Sequence, residues 1–420
     1  MLDSRAFLFS LEQFGIKLGL EQIRNLVQAL GRPDRAFKSI VVGGTNGKGS
    51  VVAMVERGLR AAGGRTGRYT SPHLVALEER FAINGEAIGA DAFDRAAERV
   101  ARASRALPLP PSFFEATTAL AFEVFRDAGV DVAVLEVGLG GRLDATNVVS
   151  PVAVAITSVE FDHQQYLGNT LEAIASEKAG IIKAGIPVVL ATNPTVVDAV
   201  IEQTCRERKA AFVRATDGVR MGVVMERGRA HLSLSTPVRD YGELHLALRG
   251  KHQADNAVVA IRLLEALDAG GVISVTEAAV RSAVEDVVWP ARLELARVDE
   301  TNVLIDGAHN PAAARALSDF IADSYGRLPM VIGIMQDKDT ESIIRALAPV
   351  AERFLFTAAQ SPRAAAPDYL LSVARRVAPN VPASVSANPL IAVSLARAGG
   401  TPVVVAGSLY LAGEIRARVT

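Results

Sequence analysis

The stretch Ile40-Val41-Val42-Gly43-Gly44-Thr45-Asn46-Gly47-Lys48-Gly49-Ser50 constrains the fold of this chain more than any other. A β-branched run feeds a glycine-rich turn, and the turn opens into Val51 to Leu59, whose apolar spacing predicts an amphipathic helix. Glycines there let successive backbone N–H groups point into one concavity, and the helix N-terminus adds its positive end. Lys48 supplies an ammonium and Ser50 a hydroxyl, so the loop suits nucleotide phosphates with a magnesium ion. The spacing departs from the usual phosphate-loop pattern: Val42 stands where its first glycine would fall, and Gly49 separates Lys48 from Ser50.

A strand–loop–helix unit of this kind belongs to a parallel α/β sheet, and the rest of the chain continues the alternation. Thr66 to Thr70 is expected as a strand leading into Ser71-Pro72-His73-Leu74, a turn at the strand end where parallel sheets present ligands. Ser-Pro is also common turn chemistry. Val132 to Leu135, apolar on both faces, reads as a central parallel strand with Glu136 at its carboxyl end, a magnesium-ligand candidate. Val152 to Ser158 repeats the pattern and delivers Asp162-His163. Ser50, Ser71, Glu136 and His163 thus all fall just beyond strands expected to be neighbours, an oxygen-rich set with one nitrogen that suits magnesium.

Helices are expected around Leu20–Leu30, at Phe113–Phe122, from Leu171 through Lys183, at Val196–Lys209 and at Asn256–Leu267. The Leu171 helix carries Lys178, for which a surface ion pair is the default explanation. Alternating segments between Ala211 and Leu248 predict an antiparallel flap, on which His231 and His245 sit. A boundary is expected near Trp289-Pro290-Ala291-Arg292. Beyond it the strands Val303–Asp306, Pro329–Ile334, Phe354–Thr357 and Pro402–Ala406 start a second βα series. The fold expected is α/β: residues 1–292 as a phosphate-loop nucleotide-binding domain with a mostly parallel sheet and a small flap, and residues 293–420 as a Rossmann-like domain. The cleft between them is the expected site. Asp306-Gly307-Ala308-His309-Asn310-Pro311 would face the nucleotide there, although Asp306 and Asn310 are also ordinary loop caps.

Composition excludes several classes. The 420 residues are 50% hydrophobic and 22% charged, with 45 Lys and Arg against 46 Asp and Glu. No overall basic charge points to nucleic acid or an anionic membrane. Met1 to Leu11 resembles neither a signal peptide nor a spanning helix. The single cysteine, Cys205, excludes an internal disulfide and is expected in a reducing cytoplasm.

Taken together, Gly44-Thr45-Asn46-Gly47-Lys48-Gly49-Ser50, Thr70-Ser71-Pro72-His73-Leu74, Phe113-Phe114-Glu115-Ala116-Thr117-Thr118, Glu136 through Asn147 and Asp306 through Pro311 resemble the folylpolyglutamate synthase/dihydrofolate synthase family of the Mur ligase superfamily. The match runs from the N-terminal helices to Gly407-Ser408-Leu409-Tyr410 and includes the odd Lys-Gly-Ser spacing. One departure is Ala291, where the family usually has glycine.

The resemblance implies ATP and magnesium, with L-glutamate and a folate or dihydropteroate as small-molecule partners, in a protein expected to be monomeric. A substrate carboxylate attacks the γ-phosphate of ATP, and the glutamate amine then displaces phosphate from the acyl phosphate. It places Gly44 to Ser50, Asn256, Arg292 and Asp306 at the nucleotide, with Ser71, Glu136 and His163 as metal ligands. Lys178, as a carbamate, becomes an anionic ligand for a second ion. Phe113, Glu115, Arg142, Asp144 and His309 fall to the substrate, and Lys48, Lys178, Asp306 and His309 to catalysis. Another Mur-type amino-acid ligase and an inactive nucleotide-binding protein remain alternatives.

Overall fold

The computed structural model describes residues 4–15, 17–397 and 401–419. Its first sheet takes eight strands from the first half of the chain: β1 (Lys38–Gly43), β2 (Thr66–Tyr69), β3 (Phe81–Ile83), β4 (Glu86–Ala87), β5 (Val132–Glu136), β6 (Ala153–Ile156), β7 (Pro187–Leu190) and β8 (Ala211–Arg214). Their order is β4-β3-β2-β5-β1-β6-β7-β8, parallel except for the β3–β4 hairpin at one edge. The β-branched run of β1 is buried on both faces because helices or the flap cover both sides of the sheet. In this order β2, β5, β1 and β6 are consecutive, so the loops carrying Ser71, Glu136, Lys48 and His163 leave one sheet edge side by side.

The flap is the three-stranded antiparallel sheet β9 (Arg220–Glu226), β10 (Arg229–Ser235) and β11 (Asp240–Arg249). It begins later than the alternation predicts. Ala211–Arg214 pairs parallel with β7 and belongs to the large sheet, since its four residues are too few to show which pairing they adopt. Leu232, Leu234, Leu244 and Leu246 face inward onto the core that also holds the phosphate-loop helix, Lys48–Ala61. His231 and His245 stand opposite each other on the outer face. The following helix starts at His252, before Asn256, and the one starting at Leu171 stops at Ala179.

The second six-stranded sheet has the order β12-β13-β17-β14-β15-β16, from β12 (Glu294–Val298), β13 (Thr301–Ile305), β14 (Leu328–Ile332), β15 (Ala351–Phe356), β16 (Ala383–Val385) and β17 (Val403–Ala406). Four strands coincide with the expected βα series. Two edge strands add to it: β12, antiparallel to β13, and the short β16. Apolar clusters on both faces make this unit a core of its own. No helix among the described residues is long and apolar enough to cross a membrane.

Candidate active site

The phosphate loop is held open by its neighbours. Gly44 (φ 139°) lies so close to the Thr157 hydroxyl at the end of β6 that no side chain fits, and Gly47 (φ 86°) is as close to the Asn256 amide. Thr45 N–H donates to the Ser158 carbonyl at 2.6 Å. Lys48 Nζ folds back to donate to the Thr45 carbonyl at 2.9 Å, while Lys178 Nζ donates to the Gly44 carbonyl at 2.8 Å. Two lysines therefore flank one loop, Lys178 buried and Lys48 half-buried. Burial lowers the pKa of Lys48, opposed by Glu136 and Asp162; burial, reinforced by Lys48, lowers that of Lys178 to about 7.

Glu136, at the end of β5, is 6% exposed and accepts the Ser71 N–H at 3.1 Å. Burial pushes its carboxyl above the ordinary range, and the Lys48 ammonium pulls the other way. The Ser71–Pro72 bond is cis. Past β6, His163 adopts φ 51° and its backbone N–H donates to the Asp162 carboxylate at 2.9 Å.

The second unit closes over this edge. Asp306 ends β13 and spends its two carboxylate oxygens on backbone N–H groups, Leu293 at 2.9 Å and Ala308 at 2.8 Å. His309 Nδ1 lies 2.8 Å from the Gly307 carbonyl, so it carries the proton, and Nε2 is left as an acceptor. Burial, then the Lys338 charge, lowers its pKa to about 4, so the ring is neutral near pH 7. Asn310 exchanges its amide with Asn46 of the phosphate loop, donating at 2.9 Å, and caps the helix Pro311–Ser324. Lys338, just past β14, reaches Asp162 at 2.6 Å and stands 3.4 Å from His163 Nε2.

These side chains, Asn310 and Thr157 apart, line one cavity of about 1320 Å³ between the two units, together with Ser50, Phe113, Glu115, Asp144, Asn256 and Arg292. Phe113 stacks with Phe9 at a ring separation of 6.2 Å, and the Arg80 guanidinium lies 5.2 Å from the Phe113 ring centre. Glu115 and Asp144 line the cavity but are engaged locally: Glu115 closes a capping box with Ser112, and Asp144 accepts from Thr146 and Leu139. Arg142 does not line the cavity. It pairs with Glu177 at 2.8 Å with its side chain 56% exposed, because its backbone is tied under the helix Leu171–Ala179. Lys338 is the site residue the sequence does not single out; Asp162 is named there only beside His163, and Asn310 only as a motif residue and loop cap.

A magnesium ion fits the donors here. Among the described residues there is no cluster of three or more His, Cys, Asp or Glu able to hold a metal alone. Magnesium keeps water and phosphate oxygens and asks the protein for only one or two carboxylates. Glu136 is a buried carboxylate with one N–H on Oε2, and the hydroxyls of Ser50 and Ser71 line the same cavity.

Ala291 takes φ 54°, which explains why glycine would suit that position and places the cost of the departure on one turn. The neighbouring Gly49 explains the odd loop spacing. A β-carbon there would come within 2.8 Å of Trp289 Nε1, so the indole excludes any larger residue between Lys48 and Ser50.

Residues 112–264 match the Mur ligase middle domain, and residues 291–409 match the Mur ligase glutamate ligase domain. The dihydrofolate synthase/folylpolyglutamate synthase of Bacillus subtilis is 33% identical over 99% of this chain and 98% of its own. Among solved structures, the Mycobacterium tuberculosis folylpolyglutamate synthase complexed with ADP aligns over 99% of this chain and 98% of its own, at TM-score 0.89 and 34% identity. Escherichia coli FolC in complex with DHPP and ADP aligns over 99% and 97%, at TM-score 0.87 and 30% identity. Two α/β units closing on a phosphate loop, with these matches, define an ATP-dependent ligase of the Mur type. Within that class, the chain belongs to the folylpolyglutamate synthase/dihydrofolate synthase family.

Proposed function

We propose that this chain joins L-glutamate to a folate, to dihydropteroate or to both, through an acyl phosphate made with ATP, and that it acts as a cytoplasmic monomer. One observation carries the chemistry: the phosphate loop and the Asp306–Asn310 loop meet across a single cavity, tied by Asn46 and Asn310. The monomeric reading is supported by a cavity whose lining residues all come from one chain. The cytoplasmic assignment rests on the single cysteine. In domain terms, residues 1–292 hold ATP and the acceptor, and residues 293–420 bring the glutamate side.

Phosphoryl transfer asks the protein for position and charge neutralisation more than for covalent chemistry. The loop N–H groups from Thr45 to Ser50 cradle the phosphates, and Lys48 leaves the Thr45 carbonyl to follow the charge that moves onto the leaving phosphate. Glu136, Ser71 and His163 would hold magnesium, which supplies further neutralisation of the phosphate oxygens when bound. For His163 this means exchanging the Lys338 ammonium for the ion. Lys178, with a pKa lowered to about 7, has a large neutral fraction at neutral pH that can react with carbon dioxide, and the carbamate is an anion where the protonated lysine is a cation.

Glutamate's amine must lose a proton as it attacks the acyl phosphate. His309 Nε2, neutral and with its lone pair free of the Gly307 bond, is placed to take it, and Asp306 fixes the loop that carries His309. Phe113, with Arg80 above it, offers a flat apolar wall for a pterin ring. Closure of the two units keeps water from the acyl phosphate. Incubation with ATP, magnesium, glutamate and each pterin acceptor, followed by mass spectrometry, tests this directly. A glutamyl adduct on at least one acceptor is expected; ATP binding without any adduct would reject it.

A further inference from the structure

Trp289 is the only tryptophan in the chain, and it lies behind the phosphate loop rather than in the cavity. Its indole edge packs on the first turn of the phosphate-loop helix at Gly49, where a β-carbon would stand 2.8 Å from Nε1 and 3.0 Å from Cζ2. The Arg68 guanidinium lies 5.0 Å from the ring centre, and Arg68 belongs to β2, the strand that leads to Ser71. Nε1 is buried without a hydrogen-bond partner, so contact with the helix turn, not a polar tie, holds the ring in place.

Ala291, Arg292 and Leu293, just beyond Trp289, are tied to the other unit. The Ala291 carbonyl accepts the Gly307 N–H at 2.9 Å, Leu293 N–H donates to Asp306 at 2.9 Å, and Gly307 has no room for a side chain beside the Arg292 guanidinium. The linker is therefore fixed at one end on the phosphate loop and at the other on the loop that carries Asp306 and His309. Packed side chains at close contact move as a unit, so a shift of the helix turn displaces the indole.

We infer that Trp289 is a positioning residue that couples phosphate-loop occupancy to the placement of Arg292, Asp306 and His309 over the cavity. The inference rests on the ligase reading above. It also explains why Gly49 is required: a side chain there would push the indole, and with it the linker, out of register.

The sole tryptophan makes the test direct. Titration of the wild-type chain with magnesium and a non-hydrolysable ATP analogue, followed by tryptophan emission, should show a saturable change. Trp289→Leu should bind the analogue within about threefold of wild type by calorimetry, yet lose about tenfold or more in kcat/KM for glutamate. Trp289→Phe, which keeps a ring on Gly49, should recover most of that loss. Unchanged emission with the analogue fully bound would overturn the inference. So would unchanged turnover in Trp289→Leu, or nucleotide affinity falling by the same factor as turnover, because the indole would then only build the loop. The emission titration needs no variant, so it decides the matter if Trp289→Leu does not fold. Absence of glutamate-dependent turnover in the wild type would count against the ligase reading alone.

Discussion

Asp162, just past β6 of the first sheet, and Lys338, just past β14 of the second, form an ion pair at 2.6 Å that joins the two units at the rim of the cavity. Both side chains are largely buried, 12% and 7% exposed. Burial alone would raise the Asp162 pKa; Lys338, with His163 and His309, more than reverses this and holds it below the ordinary carboxylate range. A depressed carboxyl stabilises the fold in full above its unfolded pKa and loses that contribution as pH falls through the folded value. Lys338→Ala should therefore destabilise the chain at neutral pH by about 3–5 kcal/mol. It should also bring acid unfolding to a higher pH, measurable by thermal melts across a pH series. Equal melts at every pH would remove the pair from the account.

Replacing Lys48 tests the loop. Lys48→Ala removes a cation whose contact strengthens as charge moves onto the leaving phosphate, so turnover should fall by about a hundredfold or more in a folded protein. Near-normal turnover would contradict the phosphate-loop assignment.

Glu136→Gln keeps the shape of the side chain and deletes its charge, which leaves Lys48 without its main partner in a buried site. The expected result is a magnesium requirement raised by roughly tenfold or more, with a lower maximal rate. An unchanged magnesium titration would show that Glu136 is no ligand.

Lys178 carries the pH prediction. Its folded pKa of about 7 lies far below the ordinary lysine value, so between about pH 7 and 10 the unfolded chain binds more protons and stability rises with pH. Over the same rise the neutral amine becomes available. Its nitrogen attacks carbon dioxide, one proton is released, and an anionic carbamate remains. Carbon-13-labelled bicarbonate should give a carbamate signal in the wild type that grows from about pH 6 to 8 and is missing in Lys178→Ala. That variant should be poorly active and partly rescued by short carboxylates. Normal activity of Lys178→Ala would refute the carbamate.

Gly44→Ala places a methyl group against Thr157 at a φ that L-residues rarely adopt. A cost of about 1–3 kcal/mol is expected, with a loss of nucleotide affinity, measured by thermal melts and calorimetry on the same sample. A stable variant with normal affinity would show that the loop is not held by this contact.

Much of the first unit is legible because its signals are local. Gly44 to Ser50 is contiguous, and Val132–Glu136 is apolar on both faces, so loop and central strand follow from short windows of sequence. The neighbouring of Ser71, Glu136 and His163 is an inference one step longer, and the strand order supports it. What sequence does not carry is pairing at a distance. Asp162 and Lys338 are 176 positions apart, and Asn46 and Asn310 are 264 apart, so neither pair leaves a pattern. Arg142 shows the converse, a motif residue whose neighbours turn it away: the backbone bond to Glu177 points its side chain at that residue's carboxylate. The helix Ala90–Arg105 has a readable period in Phe93, Ala96, Ala97, Val100 and Ala101, yet it sits between functional motifs and contributes none. β16, at three residues, is too short for any period to show.

The acyl phosphate is traced by one isotope measurement. Dihydropteroate or folate labelled with heavy oxygen in its carboxylate is incubated with ATP, magnesium and glutamate, and the phosphate released is analysed by mass spectrometry. Attack of the carboxylate on the γ-phosphate carries one labelled oxygen into the inorganic phosphate for every amide formed, and this is the result expected. Glutamylated product accompanied by unlabelled phosphate would contradict it.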